Sequence, residues 1–128
     1  MIRFVLAVAL ATVSGMCLAD EQYSARYSAC MDNSGGVTVE MMNCIGAETQ
    51  VQDSELNLAY KQLGAQLTSA RKKQLVTAQR LWVQYREANC RFYADPDGGT
   101  AAGVASNDCF LSETARRAAE LKTLGSGP

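Results

Sequence analysis

Four of the five cysteines limit what this chain can become more than any other feature. Cys30 and Cys44 form one close pair in the sequence, Cys90 and Cys109 another, in a chain of 128 residues. A domain of that size buries only about 65% of the surface its unfolded chain exposes, so its core is modest and cross-links matter. With Cys17 set apart near the N-terminus, an even number of cysteines remains, which in a short exported chain reads as a disulfide framework. A metal site has little to stand on, because no CxxC spacing exists and the chain has no histidine.

Export is itself legible. Met1-Ile2-Arg3 is a short positive start, and residues 4–13 are an unbroken, mostly apolar run. Small residues then precede Asp20, giving the layout of a secretory signal over residues 1–19, cleaved after Ala19. The run is too short to cross a membrane, which takes roughly 20 apolar residues. Cys17 offers a lipoprotein reading, with an acylated cysteine as anchor. Met16 and Ser14 suit that poorly, so simple cleavage is the better reading. The working domain is then 20–128, periplasmic or secreted, with no transmembrane segment. Losing Arg3 takes the formal net charge from −1 to −2. No basic footprint for nucleic acid is evident, and a mildly acidic protein suits a cationic partner.

The remaining chain is helical in pattern. Met42, Ile45, Thr49, Gln52, Leu56, Ala59, Leu63 and Leu67 recur at steps of three and four, a stripe that is polar in its middle. Thr38 is the expected N-cap. Leu75, Ala78, Trp82, Tyr85, Asn89 and Phe92 form a second stripe, with Ser69 as its cap. Asp95-Pro96-Asp97-Gly98-Gly99 ends that helix, and residues 95–106 read as a flexible Gly/Ala loop. Phe110, Thr114, Ala118 and Leu121 mark a third helix capped by Asn107 or Asp108. The expected fold is all-α: a small three-helix antiparallel bundle, a hairpin plus a third packed helix, stapled by two disulfides. Four cysteines allow three pairings. Helix geometry favours Cys30–Cys44 and Cys90–Cys109, because an antiparallel turn brings the latter two helix ends together.

Catalytic chemistry finds no foothold. Without histidine the commonest general base is missing, and no GxSxG, GxxxxGK[ST] or GxGxxG occurs. The carboxylate pairs Asp95/Asp97 and Asp53/Glu55 lie in polar surroundings and read as solvated surface. A cysteine nucleophile is not expected where every cysteine of the domain has a structural role. The chain reads as a non-enzyme with no cofactor and no metal. Trp82 and Tyr85 read as core packing, and Arg80 and Arg86 as solvated helix charges. Asn89 on the inner stripe needs a hydrogen-bond partner. The Gly-rich loop, with Asp95, Asp97, Gly98 and Gly99, is the segment best able to shape itself to a partner.

Three stretches carry a family resemblance. They are the Cys30–Cys44 pair, residues 78–92 with Ala78-Gln79-Arg80-Leu81-Trp82 and Tyr85-Arg86-Glu87-Ala88-Asn89-Cys90, and Cys109-Phe110-Leu111 with Thr114, Arg117, Glu120 and Leu121. Together they resemble the LprI-type lysozyme inhibitors, whose pattern is similar to A-Q-R-x-W-x-x-[FY]-R-[DE]-A-x-C and C-L-x-x-x-T-x-x-R-x-x-E-L. The loop departs from that family, with Gly98-Gly99-Thr100-Ala101 where a longer hydrophobic stretch is common. The SxxYxSG-type pattern of the β-barrel lysozyme inhibitors is missing. The resemblance implies a periplasmic or surface-exposed protein with a protein partner, a lysozyme. The alternative is an interaction or envelope-maintenance module with no lysozyme target.

Overall fold

The computed structural model describes residues 22–127, so the expected signal segment and Cys17 lie outside the described residues. The described chain is all-helical, with four helices rather than three and two disulfides. They are α1 (Ala25–Asn33), α2 (Thr38–Gln66), α3 (Ser69–Tyr93) and α4 (Gly99–Ser126).

The added helix is α1. Ser24 caps it by accepting a hydrogen bond from the Tyr27 N–H at 3.2 Å. It stops where Gly35 and Gly36 take positive φ, a conformation open to glycine at little cost. The expected caps shift by one residue. Val37, not Thr38, stands at the N-cap of α2 and offers no side-chain acceptor. Thr68, not Ser69, caps α3 by accepting from the Arg71 N–H.

The larger departure is α4, which begins at Gly99 and absorbs most of the expected loop. Ala101, Ala102 and Ala105 are the best helix formers available, and they outweigh the cost of Gly103. Its first turns are also tied to α3. Cys109 is bonded to Cys90, and Ser106 Oγ donates to the Cys90 carbonyl at 2.9 Å.

The core lies between α2 and α4. Ile45, Leu56, Ala59 and Leu63 meet Leu111, Ala115, Ala118 and Leu121, all buried. Three alanines in that set let the two backbones come close. Gly125 sits beside Leu63, and Lys122 Nζ reaches Glu55 Oε2 at 2.6 Å, so α2 and α4 run in the same direction. The antiparallel neighbour of α4 is α3. Although joined by a two-residue turn, α2 and α3 touch each other little; both are organised by α4. The Cys30–Cys44 bridge and α1 cover the first turns of α2.

Candidate interaction surface

Three regions bring functional groups together, and the first is the seam between α3 and α4. Arg86 is drawn inward rather than solvated: its guanidinium lies 4.9 Å from the Trp82 ring centre and 5.6 Å from that of Phe110. Its Nη1 donates to Thr114 Oγ1 at 3.0 Å, and Nη2 meets Glu87 Oε1 at 3.3 Å. One turn along, Arg117 donates through Nε to Gln79 Oε1 at 3.0 Å and pairs with Glu120 at 2.7 Å. Asn89 finds its partner in Cys109 Sγ, at 3.7 Å.

Because Gln79 and Arg86 turn inward, α3 is rotated from the expected stripe. Trp82 and Leu75 pack inside, whereas Tyr85 is 53% exposed and Phe92 83% exposed. Aromatic stacking of a cation is the force that sequence periodicity missed. The spacing of Trp82 and Arg86, four apart on one helix face, was its only sign.

The second region locks α1 to α2. Glu48 is buried on α2 and accepts three hydrogen bonds. They come from the Ser24 N–H at 2.9 Å, Ser24 Oγ at 2.5 Å and Gln52 Nε2 at 2.8 Å. Burial opposes ionisation of this carboxyl, but the bonds from Ser24 and Gln52 outweigh it and hold Glu48 below its ordinary range. Tyr23 and Tyr27 stack edge to face at 5.2 Å. Burial, then the Asp108 charge, pushes both phenols up from their usual value. The polar middle of the α2 stripe, at Gln52, marked this place in the sequence.

The third region is the turn between α3 and α4, where the four loop candidates lie. Asp95 Oδ1 accepts from the Asp97 N–H at 2.9 Å, and the Asp95 carbonyl from the Gly98 N–H at 3.0 Å. Gly99 sits at φ +61°, and a Cβ on Gly98 would meet Ala102 Cβ at 2.7 Å. Both glycines therefore serve the turn itself. The carboxylates of Asp95 and Asp97 are exposed and take part in no ion pair among the described residues. Phe92 and Tyr93 stand beside them, their rings 6.2 Å apart. Asp32 at the end of α1 and Glu40 at the start of α2 lie at the same end of the bundle. No group of three or more Cys, Asp or Glu is placed to hold a metal among the described residues.

Such a molecule is a disulfide-stapled helical scaffold with a polar, aromatic seam and an acidic, aromatic tip. The chain belongs to the LprI lysozyme inhibitor family, whose model matches residues 30–121. That span runs from the first bridged cysteine to Leu121 in the core, taking in both disulfides and the whole seam. No curated protein and no solved structure matches the chain.

Proposed function

We propose that this protein binds and inhibits a lysozyme outside the cytoplasm, protecting cell wall from hydrolysis. Family membership carries the reading. Two disulfides suit an oxidising space such as the periplasm or the exterior, which a cleaved segment 1–19 would give access to. The contact surface we favour is the α3–α4 turn. Asp95 and Asp97 supply charge for a cationic enzyme, Phe92 and Tyr93 supply the aromatic area that interfaces prefer, and Gly98 and Gly99 hold the turn.

Gln79, Trp82, Arg86, Cys90, Cys109, Thr114 and Arg117 of the family pattern face the α3–α4 seam and hold the scaffold, whereas Arg80, Tyr85 and Glu120 are exposed. The purified domain, mixed with c-type, g-type and i-type lysozymes, is expected to slow wall lysis by at least one of them. Asp95→Asn/Asp97→Lys should weaken that inhibition while leaving the melting temperature in place, since an asparagine amide oxygen keeps the turn's hydrogen bond. No binding to any lysozyme at micromolar excess, together with recovery of an envelope protein from the periplasm, would give the same surface to a different partner.

A further inference from the structure

Between Glu55 and Glu87 the chain has no acidic residue, yet it holds Lys61, Arg71, Lys72, Lys73, Arg80 and Arg86. That is half of its 12 lysines and arginines in a quarter of its length, in a protein of formal net charge −1. Arg86 belongs to the seam. The other five are exposed, and none joins an ion pair among the described residues.

They converge because the α2–α3 turn sets the end of one helix beside the start of the next. Lys61 and Lys72 line one hollow there, with Tyr60 and Leu75. Arg71 and Lys72 also occupy the first turn of α3, with Lys73 just after it, at the positive end of its dipole, where cations are unfavourable. Arg71 donates to Gln74 Oε1 at 2.7 Å, but no ion pair among the described residues offsets the cost of the three charges, and such a local cost points to a purpose outside the fold.

Apolar side chains are interleaved with these charges. Lys72, Val76 and Val83 share one flank of α3, at steps of four and seven, with Lys73 and Arg80 beside them. Leu81, 59% exposed, stands about 100° further round from Arg80, and Tyr85 about 40° beyond it, so these two adjoin Lys73 and Arg80 and not Lys72. We propose that the α2–α3 turn and this face of α3 dock the domain on an anionic phospholipid surface. Lysine and arginine heads meet lipid phosphates, and Leu81 and Tyr85 enter the interface. A soluble polyanion would use the cations but has no use for the exposed leucine and tyrosine.

The acidic turn lies past the far end of α3, roughly 36 Å from Arg71 and about 15 Å from Tyr85 at about 1.5 Å per residue. The docking residues and the acidic turn share no side chain, and the inference does not rest on the lysozyme reading. Flotation with phosphatidylcholine vesicles, with and without phosphatidylglycerol, tests it on the purified protein. Binding is expected only with phosphatidylglycerol present, and it should weaken as salt rises. Lys72→Glu/Lys73→Glu should weaken it roughly thirtyfold or more. That variant suits the helix dipole better, so the fold is expected to survive and any lysozyme inhibition to stay unchanged. Leu81→Ala/Tyr85→Ala should weaken vesicle binding several-fold. Binding to neutral vesicles alone, or binding that the charge reversal leaves intact, overturns the proposal. So does capture by heparin or polyphosphate that ignores the Leu81/Tyr85 change, which would make the face a polyanion site.

Discussion

Glu48 and Arg86 are both charges withdrawn from water, and each is stabilised by a different means. Glu48 is held by hydrogen bonds from Ser24 and Gln52, which keep its carboxyl ionised below the usual range. Its contribution is therefore complete above the unfolded value near 4.5 and is lost as pH falls through the lower folded value. The phenols of Tyr23 and Tyr27 are shifted the other way. Their share is complete below about pH 10 and is lost as pH rises further. Amide exchange in α1 should accordingly accelerate at both extremes, and Glu48→Gln should flatten the acid limb while costing about 1–3 kcal/mol. A variant with an unchanged acid limb would show that another group controls it. Arg86 adds ring faces to its bonds with Thr114 and Glu87, while its buried Nε has no hydrogen-bond partner. Arg86→Ala is expected to lose about 2–3 kcal/mol in urea unfolding, through the stacked cation and the packed stem together. Arg86→Lys should recover little, since an ammonium keeps the charge but not the planar stack. Neither residue's role could be read from hydrophobic periodicity, which places polar side chains outside by default.

Among the elements, α2 was the most legible, because Ile45, Leu56, Ala59 and Leu63 repeat with the helical period and do face the core. The inner face of α4 was legible for the same reason, at Thr114, Ala118 and Leu121. Its start was not. Residues 99–106 are small and include Gly103, so local propensity gives only a weak signal, and the ties to Cys90 that settle the matter are tertiary. In α3 the helix was legible but its rotation was not, since Tyr85 and Phe92 fit an apolar stripe that Gln79 and Arg86 displace. The four candidate residues of the α3–α4 turn divide in the same physical way: the two glycines and the Asp95 carboxylate serve the turn's geometry, and the Asp97 carboxylate makes no hydrogen bond or ion pair among the described residues. Gly99→Ala tests the first half of that division. An L-residue at φ +61° costs about 1–2 kcal/mol, which thermal melting should register without a loss of helix content. An Ala variant as stable as the parent would mean that the turn can relax into another conformation.

At the scale of the whole molecule, charge and cross-linking divide the labour. The acidic tip and the basic α2–α3 end sit at opposite poles, so a protein of net charge −1 still presents two strong local fields. Charged rims of this kind act chiefly on encounter. Added salt and Asp95→Asn/Asp97→Lys should both slow association with a cationic lysozyme, each by about tenfold, and change dissociation less. A mutation that acted only on dissociation would place the contact elsewhere. The poles keep their arrangement only while the helices stay assembled, and the buried core is thin: α3 contributes Cys90 as its one buried residue. Stability must therefore come substantially from the bridges. Loops of 14 and 19 residues are each worth about 3 kcal/mol in the chain-entropy model. Net stability for a domain of this size is about 5–15 kcal/mol, so losing both bridges removes much of it. Reduction should lower the melting temperature by about 20 °C or more, and any partner binding should disappear with the fold. Cys90→Ala/Cys109→Ala should cost more of the α3–α4 turn than Cys30→Ala/Cys44→Ala does, because only the former pair spans the two helices that present Phe92 and Asp95. Hydrogen exchange on each variant reads that difference directly. Equal protection of the turn in both variants would mean that the Arg86 and Arg117 seam holds α3 in place without its disulfide.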